Sequence, residues 1–342
     1  MMKAIFVDEP PHVRIAEVER PSIGEKEVLI RIISAGICGS DVGIYYGTNS
    51  LVTYPRLIGH EYGGEVVEVG SGVKSLKAGD LVSVDPVRAC GHCYACTHGR
   101  HNVCSTLEVT GVHRDGGFAE YVAAEEQYCY PLEMPDFPKE YLCLVEPYSI
   151  GVQVNHRGRV SKEDHVLIMG SGPIGLCIMQ AAKYRGAKVT MTDLVDSRLE
   201  RAKDMGADEV FNAGTDGYLD QALATTQDGQ GFTAVIDTIC STWSFPLALD
   251  MACPAGRVVT LGLINKPSEV AQVAITKKEL DVIGSRLSNS RFPEVLECFK
   301  NGAFTPQKLC THRVSYRDVE KAIREIKEHP ENVCKIIICF DN

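Results

Sequence analysis

The run Gly170-Ser171-Gly172-Pro173-Ile174-Gly175 constrains the fold of this chain more than any other feature. It follows the short apolar stretch His165–Met169 and opens Leu176–Tyr184, whose apolar residues recur at helical spacing, before a second strand-like stretch at Lys188–Thr192. A glycine turn between strand and helix lets the backbone bend tightly and leaves the first N–H groups of the helix free, the arrangement that receives a pyrophosphate. The second strand runs into Asp193, where a carboxylate accepts from ribose hydroxyls and repels a 2′-phosphate. The pattern predicts NAD, held by Gly170, Gly172, Pro173, Ile174, Gly175 and Asp193, with Arg198 one turn later able to soften the preference over NADP.

Further strand candidates at Glu209–Phe211, Ala234–Asp237, Arg257–Gly262 and Asp281–Gly284 alternate with helical stretches at 197–205, 244–252 and 293–300. That alternation predicts a parallel, doubly wound sheet. The first third reads differently: Lys3–Val7, Glu27–Ser34, Glu65–Val69, Leu81–Val84 and Phe118–Ala123 are short β-branched stretches punctuated by glycine and proline, as in a barrel-like β unit. At 342 residues, the chain has room for two domains, and a cleft between them is the expected place for a site.

Composition narrows the function. Lys plus Arg number 35 against 45 Asp plus Glu, a net charge of −10 with no basic tract, which speaks against nucleic-acid or anionic-membrane binding. No apolar run reaches the ~20 residues of a membrane span, and the amino terminus lacks a signal-peptide core, so a cytoplasmic protein is expected. In that compartment 14 cysteines do not imply disulfides. Four of them, Cys90, Cys93, Cys96 and Cys104, are spaced to close round one ion as a tetrahedral thiolate site of structural type. Zinc suits it best, although an iron–sulfur cluster uses the same ligands. A second constellation is mixed and open. Cys38 in Cys-Gly-Ser-Asp, His60 and Glu61 in Gly-His-Glu, and Glu146 in Glu-Pro supply soft, intermediate and hard donors, which fits a catalytic zinc that keeps one position free.

In order and spacing these blocks resemble the zinc-dependent medium-chain dehydrogenase/reductase superfamily over essentially the whole chain. The polyol and sugar-acid branch is the nearer likeness, because Glu146 stands where typical alcohol dehydrogenases carry a second cysteine ligand. The blocks Gly111–Phe118, Ser285-Arg286-Leu287 and Thr311-His312-Arg313 are similar to starvation-sensing-type hexonate dehydrogenases, which include L-gulonate and L-galactonate 5-dehydrogenases.

The resemblance implies a GroES-like catalytic domain from residues 1–152 and 288–342, with the structural zinc loop at 90–104, and a Rossmann domain at 153–287. It implies Cys38, His60 and Glu146 as catalytic zinc ligands, with Glu61 either joining them or exchanging with water. Ser40 begins the proton relay. Gly43 departs from the family, which often has a histidine there to pass the proton on, so a water chain, the cofactor ribose or a residue from elsewhere, of which His113 is one candidate, takes that place. Arg286 is expected to pair a substrate carboxylate, with Arg114 either a second contact or a loop tie. The expected activity is oxidation of a sugar acid such as L-gulonate or L-galactonate at carbon 5, using two zinc ions and NAD, in a homodimer or homotetramer. Polyol and threonine-type dehydrogenases are the alternatives among enzymes, and a catalytically silent NAD- and zinc-binding regulator is the alternative outside them.

Overall fold

Glu27–Gly36 carries apolar residues on both faces and is buried almost throughout, which makes it the central strand of the first of two units. A computed structural model describes residues 1–340. The first unit comprises Met1–Glu146, Phe292–Lys300 and the chain from Pro306 onward, and the second comprises Pro147–Arg291 with Asn301–Thr305.

In the first unit the strands are ordered Cys129–Pro131, Leu81–Val84, Glu61–Val69, Glu27–Gly36, Lys335–Cys339 and Cys310–Ser315, with Tyr121–Glu125 also pairing to Glu27–Gly36. Glu61–Val69 runs antiparallel to the central strand, setting Gly36 opposite Glu61. The Ile-rich strand Lys335–Cys339 lies antiparallel against the last residues of the same strand, with Ile337 opposite Gly36. A separate sheet is built on the hairpin of Met2–Glu9 and His12–Val18. The second of these strands is absent from the sequence reading because its residues are mostly solvated and alternate weakly.

The strand expected at Phe118–Ala123 forms instead at Tyr121–Glu125. Phe118 is withdrawn to pack against Gly59, a residue at φ +97° where any side chain would strike the phenyl ring. The backbone of Gly59 is also met by Gly111 and Gly116, so closely that a Cβ at either would strike it. The block 111–117 is thus a backbone-on-backbone contact, anchored by the Gly116, Gly117 and Phe118 amides donating to the carbonyls of Leu57, Gly59 and Ile58. Glycine is required there by close approach, and the contact sets the position of the residue after Gly59, which is His60.

In the second unit six strands are ordered Glu209–Asn212, Lys188–Asp193, His165–Met169, Phe232–Asp237, Ala252–Thr260 and Asp281–Gly284. Every neighbouring pair is parallel, so all carboxyl ends share one edge, where ligands of such sheets bind. Continuous apolar runs supply the core, with Leu167, Phe232, Val235, Leu249 and Val258 fully or nearly fully buried. Helices Pro173–Tyr184, Asp196–Asp204 and Ser244–Met251 follow their strands as the alternation predicts. Among the described residues no helix is long and apolar enough to cross a membrane.

One buried group makes this unit pH-sensitive. His165 lies edge-on to Phe232, with Nε2 at 2.8 Å from the Thr190 hydroxyl. Burial, with Lys188 nearby, pushes its ring down to about 4 from an ordinary 6.5. A ring that resists protonation when folded and accepts it when unfolded stabilises the fold above the unfolded pKa and loses that contribution as pH falls through the folded one. Acidification from about pH 7 to pH 4 should therefore cost about 2 kcal/mol through this residue, a figure discounted because the ring is only partly buried. Urea unfolding across that range should show a steeper pH dependence in the parent than in His165→Gln, and equal slopes would remove His165 from the account.

Candidate active site

Helix Gly39–Tyr45 begins directly after Cys38, whose own N–H donates to the Asp41 carboxylate at 2.9 Å. His60 and Glu61 sit at the start of the strand Glu61–Val69, behind the Gly59 contact. These two local structures bring Cys38, His60 and Glu61 together, with one ligand atom of each within 4.8 Å of the others. Ser40 Oγ is 3.4 Å from His60 Nε2. Glu146 is buried and close enough to act electrostatically on His60, but the structure does not bring it into that tight set.

Two residues that the sequence reading missed complete the surroundings. Asp41 is buried with Oδ1 at 3.7 Å from His60 Nδ1, and burial raises its carboxyl. Lys335, from the strand next to the central one, donates to Glu61 Oε1 at 2.8 Å, Glu61 Oε2 at 2.9 Å and the Ile37 carbonyl at 3.2 Å. Both ends of this ion pair are sealed, with side-chain exposures of 3% and 0%. Gly36 makes room for it, since a Cβ there would overlap the Glu61 carboxylate. The Lys335 signal in sequence is a lone lysine opening the run Ile336-Ile337-Ile338, a charge at the start of a core strand.

The electrostatics of the set favour a cation. Burial lowers the readiness of His60 to protonate, yet Asp41, Cys38 and Glu146 together raise it well above the ordinary value. Burial pushes Glu146 up to about 8, opposed by His60 and reinforced by Glu61. Cys38, Asp41, Glu61 and Glu146 thus concentrate acidic groups around one imidazole, with Lys335 as a close buried counter-cation. A dication on thiolate, imidazole and carboxylate donors suits that balance, and zinc is the metal that accepts this mixture.

Cys90, Cys93, Cys96 and Cys104 form a second set, all four sulfurs within 4.8 Å of one another. Backbone amides point at the sulfurs: Cys93 N–H donates to Cys90 Sγ at 3.3 Å, Cys90 N–H to Cys104 Sγ at 3.3 Å and Thr106 N–H to Cys104 Sγ at 3.4 Å. Hydrogen bonds from backbone groups hold the Cys93 thiol down to about 5, whereas burial and the Cys93 sulfur push Cys96 up to about 12. Four sulfurs with amide donors, joined by no other His, Cys, Asp or Glu ligand among the described residues, fit a closed, structural zinc.

In the second unit the glycine turn and Asp193 line one cavity of about 310 Å³ together with Arg198, Thr238 and Trp243. Gly170, at φ +104°, and Gly175 allow the turn to close on itself and on Thr238. Gly172 is different: the place of a Cβ there is open, with nothing within 4 Å, and Ser171 Oγ is buried beside it without a partner. Helix Pro173–Tyr184 starts here with proline at its first turn and Ile174 behind it. Open space, an unpaired hydroxyl and a helix amino terminus fit a pyrophosphate. Asp193 uses one oxygen for Ser171 N–H at 2.8 Å and the other for Val195 N–H at 3.0 Å, leaving lone pairs for a ribose diol. Arg198 leans on the same carboxylate at 3.8 Å.

The expected substrate residues are dispersed. Arg286 lies in the second unit, half-buried in the loop after Asp281–Gly284. His113 and Arg114 line a cavity of about 660 Å³ in the first unit with Arg56, Leu57 and Tyr121, and none of the candidate metal ligands borders it. His113 Nδ1 accepts from Val109 N–H at 3.1 Å, a tie within its own turn.

With a GroES-like β unit, a Rossmann sheet, two zinc-type donor sets and a dinucleotide turn in one chain, the class is a zinc- and NAD-dependent oxidoreductase. The chain belongs to the zinc-type alcohol dehydrogenase family: residues 24–136 match the alcohol dehydrogenase GroES-like domain and residues 173–301 the zinc-binding dehydrogenase domain. It is 40% identical to the starvation-sensing protein RspB of Escherichia coli K12, over 99% of both chains. L-idonate 5-dehydrogenase of Vitis vinifera is 34% identical over 93% of this chain and 89% of its own. A crystal structure of an Escherichia coli CFT073 alcohol dehydrogenase, rspB, complexed with NADH superposes with a TM-score of 0.93 at 40% identity, covering 99% of each chain.

Proposed function

We propose that the chain oxidises a secondary alcohol of a sugar acid, a hexonate such as L-gulonate or L-galactonate at carbon 5, passing hydride to NAD. The observation that carries this reading is the donor set of half-buried Cys38 with buried His60 and Glu61 and with Glu146 alongside, in a chain akin along most of its length to a hexonate 5-dehydrogenase. Cys38, His60 and Glu146 would hold the catalytic zinc, and the four cysteines the structural one. Lys335 keeps Glu61 back as a neighbouring carboxylate. When bound, zinc supplies a Lewis acid that lowers the pKa of the alcohol. Ser40 Oγ orients the alcohol and receives its proton. Gly43 offers no side chain for the next transfer, and its carbonyl is already bonded by the Thr48 and Asn49 amides, so solvent takes the proton on. Asp193 holds the ribose diol and disfavours a 2′-phosphate. Arg286 pairs the substrate carboxylate, because an unpaired charge in a partly desolvated site costs several kcal/mol.

A panel of hexonates, neutral polyols and threonine, read by NADH absorbance in the parent and in Arg286→Ala, tests this. Arg286→Ala should cost about 2–5 kcal/mol in kcat/KM for a hexonate and much less for its uncharged polyol analogue. Equal losses would make the arginine scaffolding, and a parent that ignores the carboxylate would move the substrate to plain polyols.

A further inference from the structure

We infer that the loop Ser285–Ser290 of the second unit recognises hydroxyl groups of the substrate, through Ser285 Oγ and Ser288 Oγ. The inference rests on the sugar-acid reading above and extends it to two residues.

Position comes first. The loop leaves the carboxyl end of Asp281–Gly284, and every strand between it and the glycine turn is parallel, so the two lie on the same edge of the sheet. They are three strand spacings apart in the order His165–Met169, Phe232–Asp237, Ala252–Thr260, Asp281–Gly284. At about 4.8 Å per spacing that is roughly 14 Å, which sets the loop apart from the adenosine cavity at Asp193 and toward the reacting end of a bound dinucleotide.

Chemistry comes second. Ser285 is 8% exposed and Ser288 1%, and neither hydroxyl has a hydrogen-bond partner. A buried serine away from the carboxyl-edge loops is paired, Ser244 Oγ donating to Asp237 Oδ2 at 2.8 Å, whereas the unpaired Ser171 Oγ lies at the dinucleotide turn. Buried unpaired hydroxyls are rare because each forfeits its bond to water, so two within four residues call for a ligand. The backbone is also constrained. Leu287 and Ser290 both occupy the left-handed region, at φ +49° and +58°, while Ser285 N–H is fixed on the Thr260 carbonyl at 2.9 Å. Strained non-glycine residues of this kind persist where a loop is held to present its side chains. A hydroxyl both donates and accepts, which matches the vicinal hydroxyls of a sugar acid, and Arg286 between the two serines matches its carboxylate.

The test combines stability with discrimination in Ser285→Ala and Ser288→Ala. Removing a hydroxyl that has no partner until substrate arrives should leave the ligand-free melting midpoint unchanged or raise it, by about 2–4 °C. The ratio of kcat/KM for a hexonate to that for propan-2-ol should fall about tenfold per serine, while NADH affinity stays within twofold. A drop in the ligand-free midpoint would show that the hydroxyls serve the fold, and a loss confined to NADH affinity would give them to the nicotinamide carboxamide; either overturns the inference. The two readings fail separately. A chain that oxidises no sugar acid or polyol refutes the proposed function, whereas a hexonate dehydrogenase whose serine variants keep the parent discrimination refutes this inference alone.

Discussion

Cys93→Ser should reduce zinc from two ions per chain to one and open residues 90–104 to proteolysis. The sulfur of Cys93 lies 3.5 Å from that of Cys96 and 3.9 Å from that of Cys104, so it is central to the set. Little else holds this segment: its only regular structure is the short helix Tyr94–Thr97 and the turn His101–Val103, with no buried side chain in the helix. Such a lobe owes its order to the ion, and structural zinc in small peptides is worth about 10–16 kcal/mol of binding that is also folding energy. Metal analysis and protease sensitivity of the purified variant decide the matter. Two zinc ions retained, or normal stability with loss of catalysis only, would defeat the structural assignment.

Lys335→Met should lower the stability of the first unit by about 3–5 kcal/mol, because it strands the Glu61 carboxylate where water does not reach. The double variant Lys335→Met/Glu61→Leu should recover most of the loss, since an apolar pair of similar size has no charge to desolvate. Urea unfolding separates the units: Trp243, the only tryptophan, lies in the second, so its emission follows that unit while circular dichroism follows both. A single variant within about 1 kcal/mol of the parent would mean that Glu61 finds another cation or takes up a proton.

The sequence states most of the second unit. Its central strands are short and buried on both faces, so apolar runs end where strands end, as at His165–Met169; Asp281–Gly284, mostly exposed at the sheet edge, is also found at the expected bounds. Local chemistry also shows the four cysteines and the Cys38, His60, Glu61 set, which chain neighbours of small size flag. What stays hidden depends on pairing over distance. Lys335 meets Glu61 across 274 residues, and nothing beside Lys335 names its partner. Asp41 has no assigned role in the Cys-Gly-Ser-Asp block until the fold sets it against His60. Phe118 reads as a strand residue because a packing demand from Gly59 is invisible in its own neighbourhood.

The first unit is sewn from separated pieces, and its central strand waits for Lys335–Cys339. During synthesis on the ribosome the run Pro147–Arg291 emerges uninterrupted and can close its parallel sheet while the rest is still being made. The earlier β residues have by then been outside for most of the chain's translation, with Glu61 lacking its ammonium partner and the edge of Glu27–Gly36 unfilled beside Gly36. Cys38 and the four loop cysteines spend that interval in a unit whose sheet has not closed, so a nascent chain stalled before residue 335 would present a cofactor-binding unit joined to an unfinished metal site.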